Sequence, residues 1–153
     1  MATMRTVVGD ITTAKENYIC HQVNCAGAMN SGVARAVRLK WPIVYTRYKS
    51  WCAVMEDYLG ENQYVPLETG QTVVNMFAQK RYGFDGTRYT DYEAFAECLE
   101  DMDKKIPKDA SIAFPWRIAS DRGGANWEII KTMIIQILCK NDREIVFYKL
   151  GDI

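Results

Sequence analysis

The sequence predicts an α/β fold, with a central, mixed, mainly parallel sheet and helices on both faces. Three observations carry that reading. At 153 residues, with no repeat, linker or low-complexity tract, the chain has the length of one domain with a full core. Short runs of β-branched and aromatic residues alternate with segments of helical apolar spacing over most of its length. The three loops richest in polar and small residues each follow a predicted strand. In a parallel sheet such loops gather at one edge, where ligands bind.

The elements follow in order. Residues 5–8 form a β-branched run that ends in a turn at Gly9-Asp10, and residues 18–25 form a second strand. A loop of small residues leads into a helix at 31–40, where Ser31 either caps the helix or offers its hydroxyl to a ligand. Pro42 opens the next helix, which continues to about residue 58 on a stripe of Val44, Tyr45, Tyr48, Trp51, Cys52 and Met55. Residues 60–70 form a loop with one short strand near 64–67, and 72–78 read as a buried strand. A polar loop at 80–88 precedes Thr90-Asp-Tyr-Glu, a capping box that starts a helix running to about residue 104. A turn at 106–109 and a strand at 111–115 follow. A second glycine-bearing loop at 120–126 opens a helix at 127–140, with apolar Ile130, Met133, Ile134, Ile137 and Leu138. The last strand is 144–148.

Composition narrows the function classes. Apolar residues make up 48% and charged residues 25%, ordinary for a globular protein. Lys plus Arg equals Asp plus Glu at 19 each, so no basic face toward nucleic acid or membrane is forced. The five cysteines contain no C-x-x-C pair and there is one histidine, so no metal site is expected. The cysteines lie in apolar stretches and read as reduced, buried thiols. With no signal segment and no run long enough to span a bilayer, the expected location is cytoplasmic, with no membrane partner.

Four clusters carry chemistry. Asp10 and Ile11 end the first strand, where Asp10 is either a turn residue or an acceptor for an exocyclic amine. The segment from Asn24 to Gly32 has the geometry of an anion site, because N–H groups at a helix start are unpaired and the helix dipole favours negative charge. Gly27 and Gly32 let backbone approach a ligand, and Asn24 suits a sugar hydroxyl. This loop is neither a P-loop nor a dinucleotide fingerprint. The third cluster places Gln79, Lys80 and Tyr89 after the buried strand at 72–78, with Asp91 in the first turn of the following helix. The fourth, with Ser120, Asp121, Arg122, Gly123 and Gly124, is a second loop that opens a helix, and Trp127 behind it reads as core. His21, beside the first loop, is the only imidazole available for acid–base work.

Taken together, the clusters resemble the macro domain family of ADP-ribose-binding modules. The residues that carry the resemblance are Gly9-Asp10-Ile11, His21-Gln-Val-Asn24-Cys, Met29-Asn-Ser-Gly32-Val-Ala, Pro42 with Tyr45 and Tyr48, Asn75-Met-Phe-Ala-Gln79, Tyr89-Thr-Asp91-Tyr, and Gly123-Gly124-Ala-Asn-Trp127. They occur in family order and span nearly the whole chain, and they are most similar to small stand-alone members of phage type and to ADP-ribose 1''-phosphate processing enzymes.

The resemblance implies a three-layer α/β/α sandwich over residues 1–153, a monomer without cofactor, and ADP-ribose or a derivative as ligand. It implies Asp10 on the adenine amine, Asn24 on the distal ribose, and backbone around Met29, Asn30, Ser31, Gly32 and Val33 and around Ser120 to Gly124 on the diphosphate. His21 and Asp91 are the catalytic candidates by likeness to the phosphatases. Lys80, with Gln79 as the neighbouring alternative, is the candidate by likeness to hydrolases that remove ADP-ribose from acidic side chains. Asn30 departs from the usual glycine, and Asp121 faces a diphosphate unless it turns away or takes a catalytic role.

Three readings follow. The first is a hydrolase acting on ADP-ribose 1''-phosphate or on ADP-ribosylated protein or nucleic acid, in the host cytoplasm if the chain is of phage type. The second is a binding module without turnover. The third is a nucleic-acid binder through Arg35, Arg38, Lys40, Arg47 and Lys49, against which the zero net charge argues.

Overall fold

The computed structural model describes residues 2–54, 57–83 and 85–151. Its strands are β1 (Thr3–Val8), β2 (Tyr18–Asn24), β3 (Asn62–Pro66), β4 (Thr72–Gln79), β5 (Ser111–Pro115) and β6 (Glu144–Lys149). Its helices are α1 (Gly32–Lys40), α2 (Pro42–Val54), α3 (Tyr92–Lys105) and α4 (Trp127–Leu138), and a 3₁₀ turn at Ile11–Thr13 follows β1. The strands form one sheet in the order β1-β6-β5-β2-β4-β3. Every neighbouring pair is parallel except β3 with β4 at one edge. The expected mixed α/β sheet is therefore the observed one.

The layers follow from side-chain alternation. On β2 and β4, Ile19, Val23, Val73 and Phe77 face one way, into a core closed by Val37 of α1 and by Val44 and Tyr48 of α2. Cys20, Val74, Met76 and Ala78 face the other way, against Phe95, Cys98 and Leu99 of α3 and Ile130 and Ile134 of α4. A strand buried on both faces reads as a nearly continuous apolar run, as β4 does. Among the described residues no helix is long and apolar enough to cross a membrane.

Two sequence expectations need correction. Thr90-Asp-Tyr-Glu forms no capping box. Asp91 is itself the N-cap of α3 and accepts from the Ala94 N–H at 2.9 Å. Thr90 lies one position earlier, is 2% exposed and turns its hydroxyl elsewhere. The helix expected to run to about residue 58 is described to Val54, and Tyr58 is not helical. Met55 of its stripe lies outside the described residues. The stripe itself is real, with Val44 and Tyr48 buried and Tyr45, Trp51 and Cys52 packed beside them.

Nothing in the local sequence pattern marks Arg143 as buried. Its guanidinium is fully buried, pairs with Asp103 at 2.6 Å, and donates to the carbonyls of Ile106 and Pro107. It ties the end of α3 to the start of β6.

The connections fix where a site can be. β2 leads into α1 on one face and the adjacent β5 leads into α4 on the other. These two strands pair only at Tyr18 with Ile112 and Ile19 with Ala113. Beyond those residues they separate and the chain leaves in opposite directions, which is the arrangement that opens a crevice in parallel sheets.

Candidate functional site

The crevice has a volume of about 450 Å³, within the range of small-molecule sites. One wall is built from β2 and the start of α1, the other from the loop after β5, and Gln79, Tyr82 and Gly83 also line the crevice.

On the first wall, α1 presents an uncapped N-terminus. Ser31 occupies the N-cap position but makes no side-chain cap bond, and no acidic residue stands in the first turn. Gly32, Val33 and Ala34, whose N–H groups lie in the unpaired first turn, line the crevice with Ser31 and Asn30. An unopposed helix N-terminus attracts an anion. Gly32 has a φ of +60° and open space where a Cβ would lie, so glycine serves the backbone conformation there. Asn30 is held by Arg38, which donates to its Oδ1 at 3.1 Å.

Asn24 lines the crevice, but its amide builds the loop. Its Oδ1 accepts from the Ala26 and Ala28 N–H groups and from the Tyr48 hydroxyl, and its Nδ2 donates to the Ala28 carbonyl. The Gly27 N–H is taken by Tyr48, and Met29 is fully buried. Gly27 and Met29 therefore stand behind the wall. Burial keeps the Tyr48 hydroxyl protonated, well above the ordinary tyrosine range.

The second wall is strained. Arg117 and Ala119 both have positive φ, at 58° and 68°, a conformation non-glycine residues adopt only when the surroundings hold them there. The restraint comes from a hub under the crevice floor. Gln22 Nε2 donates to Gln79 Oε1 at 2.6 Å and to Thr90 Oγ1 at 2.9 Å, and Thr90 Oγ1 donates to the Ala119 carbonyl at 2.9 Å. The Tyr89 and Thr90 N–H groups donate to the Gly123 carbonyl. A Cβ on Gly123 would collide with the Thr90 hydroxyl and with the Ala119 carbonyl, so only glycine fits. One extra residue in β4 opposite β2 makes a bulge between Val23 and Asn24 and brings Asn24 opposite Gln79.

The helix after this wall contributes no anion site. Asn126 caps α4 by accepting from the Glu128 N–H, and Glu128 stands in its first turn. The expectation of two equivalent helix-opening loops is thus half met. The second wall acts through residues 117–123 and not through a helix N-terminus. Trp127 packs edge-on to Trp116 and Phe147, as core.

His21 lies on the crevice wall, 1% exposed, with Nε2 at 2.6 Å from Asn75 Oδ1 and no partner on Nδ1. Burial lowers its pKa to about 4, against a smaller opposing effect of the Asn75 bond. The ring is therefore neutral near pH 7.

The structure brings His21, Asn24, Asn30, Ser31, Gly32, Val33, Gln79, Asp121, Arg122 and Gly123 to one crevice. Other candidates stand apart. Asp10 caps the 3₁₀ turn through Thr12, with Ile11 buried beneath it. Asp91 is spent on the α3 N-terminus. Lys80 reaches Asp57 at 3.8 Å. Ser120 bonds back to Ile118, and Gly124 supplies a positive φ. Gln22, Thr90 and Asn75 stand within the motifs quoted from the sequence, which assigns them no role in a site. The available signal was polar residues at alternate positions of otherwise apolar strands.

No family model and no curated protein matches the sequence. Solved structures do. A protein of unknown function from Bacteroides thetaiotaomicron is 27% identical, with 97% of this chain and 98% of that one covered at a TM-score of 0.87. A macrodomain protein from Streptomyces coelicolor is 25% identical over 97% and 100% of the two chains, with a TM-score of 0.80. The Thermosipho africanus DarTG in complex with ADP-ribose is 16% identical over 96% of this chain and 42% of that one, also at 0.80. With its sheet order, its two helical layers and this full-length likeness, the chain has the macrodomain fold.

Proposed function

We propose that the crevice binds ADP-ribose and that the protein hydrolyses an ADP-ribose derivative there. The observation that carries the reading is the uncapped, acid-free N-terminus of α1, set at the point where β2 and β5 part. It offers backbone donors to a diphosphate, and the strained loop at 117–123 faces it. The Thermosipho protein, of the same fold, holds ADP-ribose. In this reading the ligand extends past the crevice lining so that its adenine amine meets Asp10, while Asn24 and His21 stand near the distal ribose. His21 and Asp121 are the catalytic candidates on the crevice, and its substrates are ADP-ribose 1''-phosphate or ADP-ribosylated macromolecules.

The alternative is a binding module without turnover. It is favoured by the positions of Asp91 and Lys80, one consumed as a helix cap and the other turned to Asp57. Titration calorimetry with ADP-ribose tests the ligand. Product release from each substrate, with His21→Ala, Lys80→Ala and Asp121→Ala measured separately, tests the chemistry. Binding without turnover of either substrate leaves the module; absence of binding at millimolar ADP-ribose ends both.

A further inference from the structure

A line of buried amides runs from the crevice wall across the sheet. His21 on β2, Asn75 on β4 and Gln63 on β3 are direct cross-strand partners. All three are buried. Gln63 Nε2 donates to the Arg47 carbonyl of α2 at 2.9 Å, Asn75 Nδ2 donates to Gln63 Oε1 at 3.0 Å, and Asn75 Oδ1 meets His21 Nε2 at 2.6 Å.

The far end sets the polarity. A backbone carbonyl only accepts, so Gln63 turns its NH₂ to α2 and its oxygen to Asn75. Asn75 then turns its NH₂ to Gln63 and its oxygen to His21. That oxygen also only accepts, so the His21 proton sits on Nε2. Nδ1 is left as a lone pair, buried and without a partner among the described residues. Buried polar atoms of proteins are nearly always satisfied, so an orphan on a crevice wall marks a place for a group from outside.

We propose that Asn75 and Gln63 are positioning residues that lock His21 as the Nε2–H tautomer, so that its Nδ1 accepts a hydrogen bond from a ligand hydroxyl or a water in the crevice. A ribose hydroxyl or a hydrolytic water brings the required proton, and an ionised phosphate oxygen does not. The ligand half of this inference rests on the ADP-ribose reading above; the tautomer half does not.

One histidine in the chain makes the test clean. In protein labelled with ¹⁵N-histidine, the free wild type shows a protonated Nε2 and a pyridine-type Nδ1. Gln63→Leu, which removes only hydrogen bonds to Arg47 and Asn75, frees the Asn75 amide to turn and gives a mixture of tautomers. Asn75→Asp keeps an oxygen opposite Nε2 and retains the single form, while Asn75→Leu loses it. A wild type protonated on Nδ1 overturns the proposal, as does a folded Gln63→Leu with one unchanged tautomer. If Gln63→Leu fails to fold, the contrast between Asn75→Asp and Asn75→Leu decides the same point. Adding ADP-ribose to the wild type shifts Nδ1 and spares Nε2. Calorimetric binding that leaves Nδ1 unmoved overturns the ligand contact. If calorimetry detects no ADP-ribose binding, the functional reading fails, and the free-protein spectrum still decides the tautomer.

Discussion

Thr90 Oγ1 donates to the Ala119 carbonyl at 2.9 Å, so the hydroxyl of one loop holds the neighbouring loop in its positive-φ conformation. The same oxygen accepts from Gln22. Thr90→Val preserves shape and removes both bonds. We expect a loss of about 1–3 kcal/mol, the usual cost of orphaned buried polar groups, and weaker ADP-ribose binding. Thr90→Ser restores most of both. Thermal denaturation and calorimetry on the pair check this, and equal behaviour of the two variants contradicts it.

Two crevice glycines separate conformational from steric demands. Gly123→Ala places a methyl against the Ala119 carbonyl, 2.6 Å away, and must push the second wall aside. Affinity for ADP-ribose should fall at least about tenfold, or ~1.4 kcal/mol. Gly32→Ala meets open space and carries only the strain of its φ of +60°, about 1–2 kcal/mol of stability. Melting curves and binding isotherms for both variants report the difference.

Folding stability should depend on pH through a single imidazole. The folded pKa of His21 is about 4, below its ordinary 6.5. Between those values the unfolded chain holds a proton that the folded chain refuses, so stability is full above about pH 6.5 and declines as pH falls toward 4. The size is on the order of 3 kcal/mol. Asp103 is held by Arg143 below the usual carboxylate range, so its contribution to stability is lost only at more acidic pH than that of the histidine. Urea midpoints at pH 7 and pH 5 should differ in the wild type and converge in His21→Asn. A pH-independent wild type refutes the assignment.

Arg143 is expected to be the costliest single side chain outside the sheet core. Arg143→Met removes the side-chain donor of the Ile106 carbonyl, one of two donors to the Pro107 carbonyl, and the nearer ion-pair partner of Asp103, which keeps Lys108 at 3.4 Å. A loss of about 3 kcal/mol or more follows. Arg143→Lys keeps the charge but not the fork, and should fall between. Chemical denaturation ranks the three proteins.

The fold was legible because alternation and turn chemistry are local. The β-branched and aromatic runs at β4 and β6 and the stripe of α2 declare themselves within a few residues. The first wall was legible too, since small residues between a strand and a helix make a local pattern. What escaped depends on distant partners. Thr90 reads as a capping residue until the fold brings Ala119 and Gln22 to it. Asn24 reads as a ligand group until Tyr48 and its own loop claim its amide. Asp10, Asp91 and Asn126 share one local motif, an Asx side chain on a following N–H, so sequence alone does not separate a cap from a contact.

The short seam between β2 and β5 bears on how this architecture tolerates change. Its gap originates in main-chain divergence after Ile19 and Ala113, so no particular side chain keeps it ajar. Substituents along the rim are therefore free to diversify while the notch itself persists. An incoming guest finds the space already made and spends its affinity on contacts instead of on prising two layers apart.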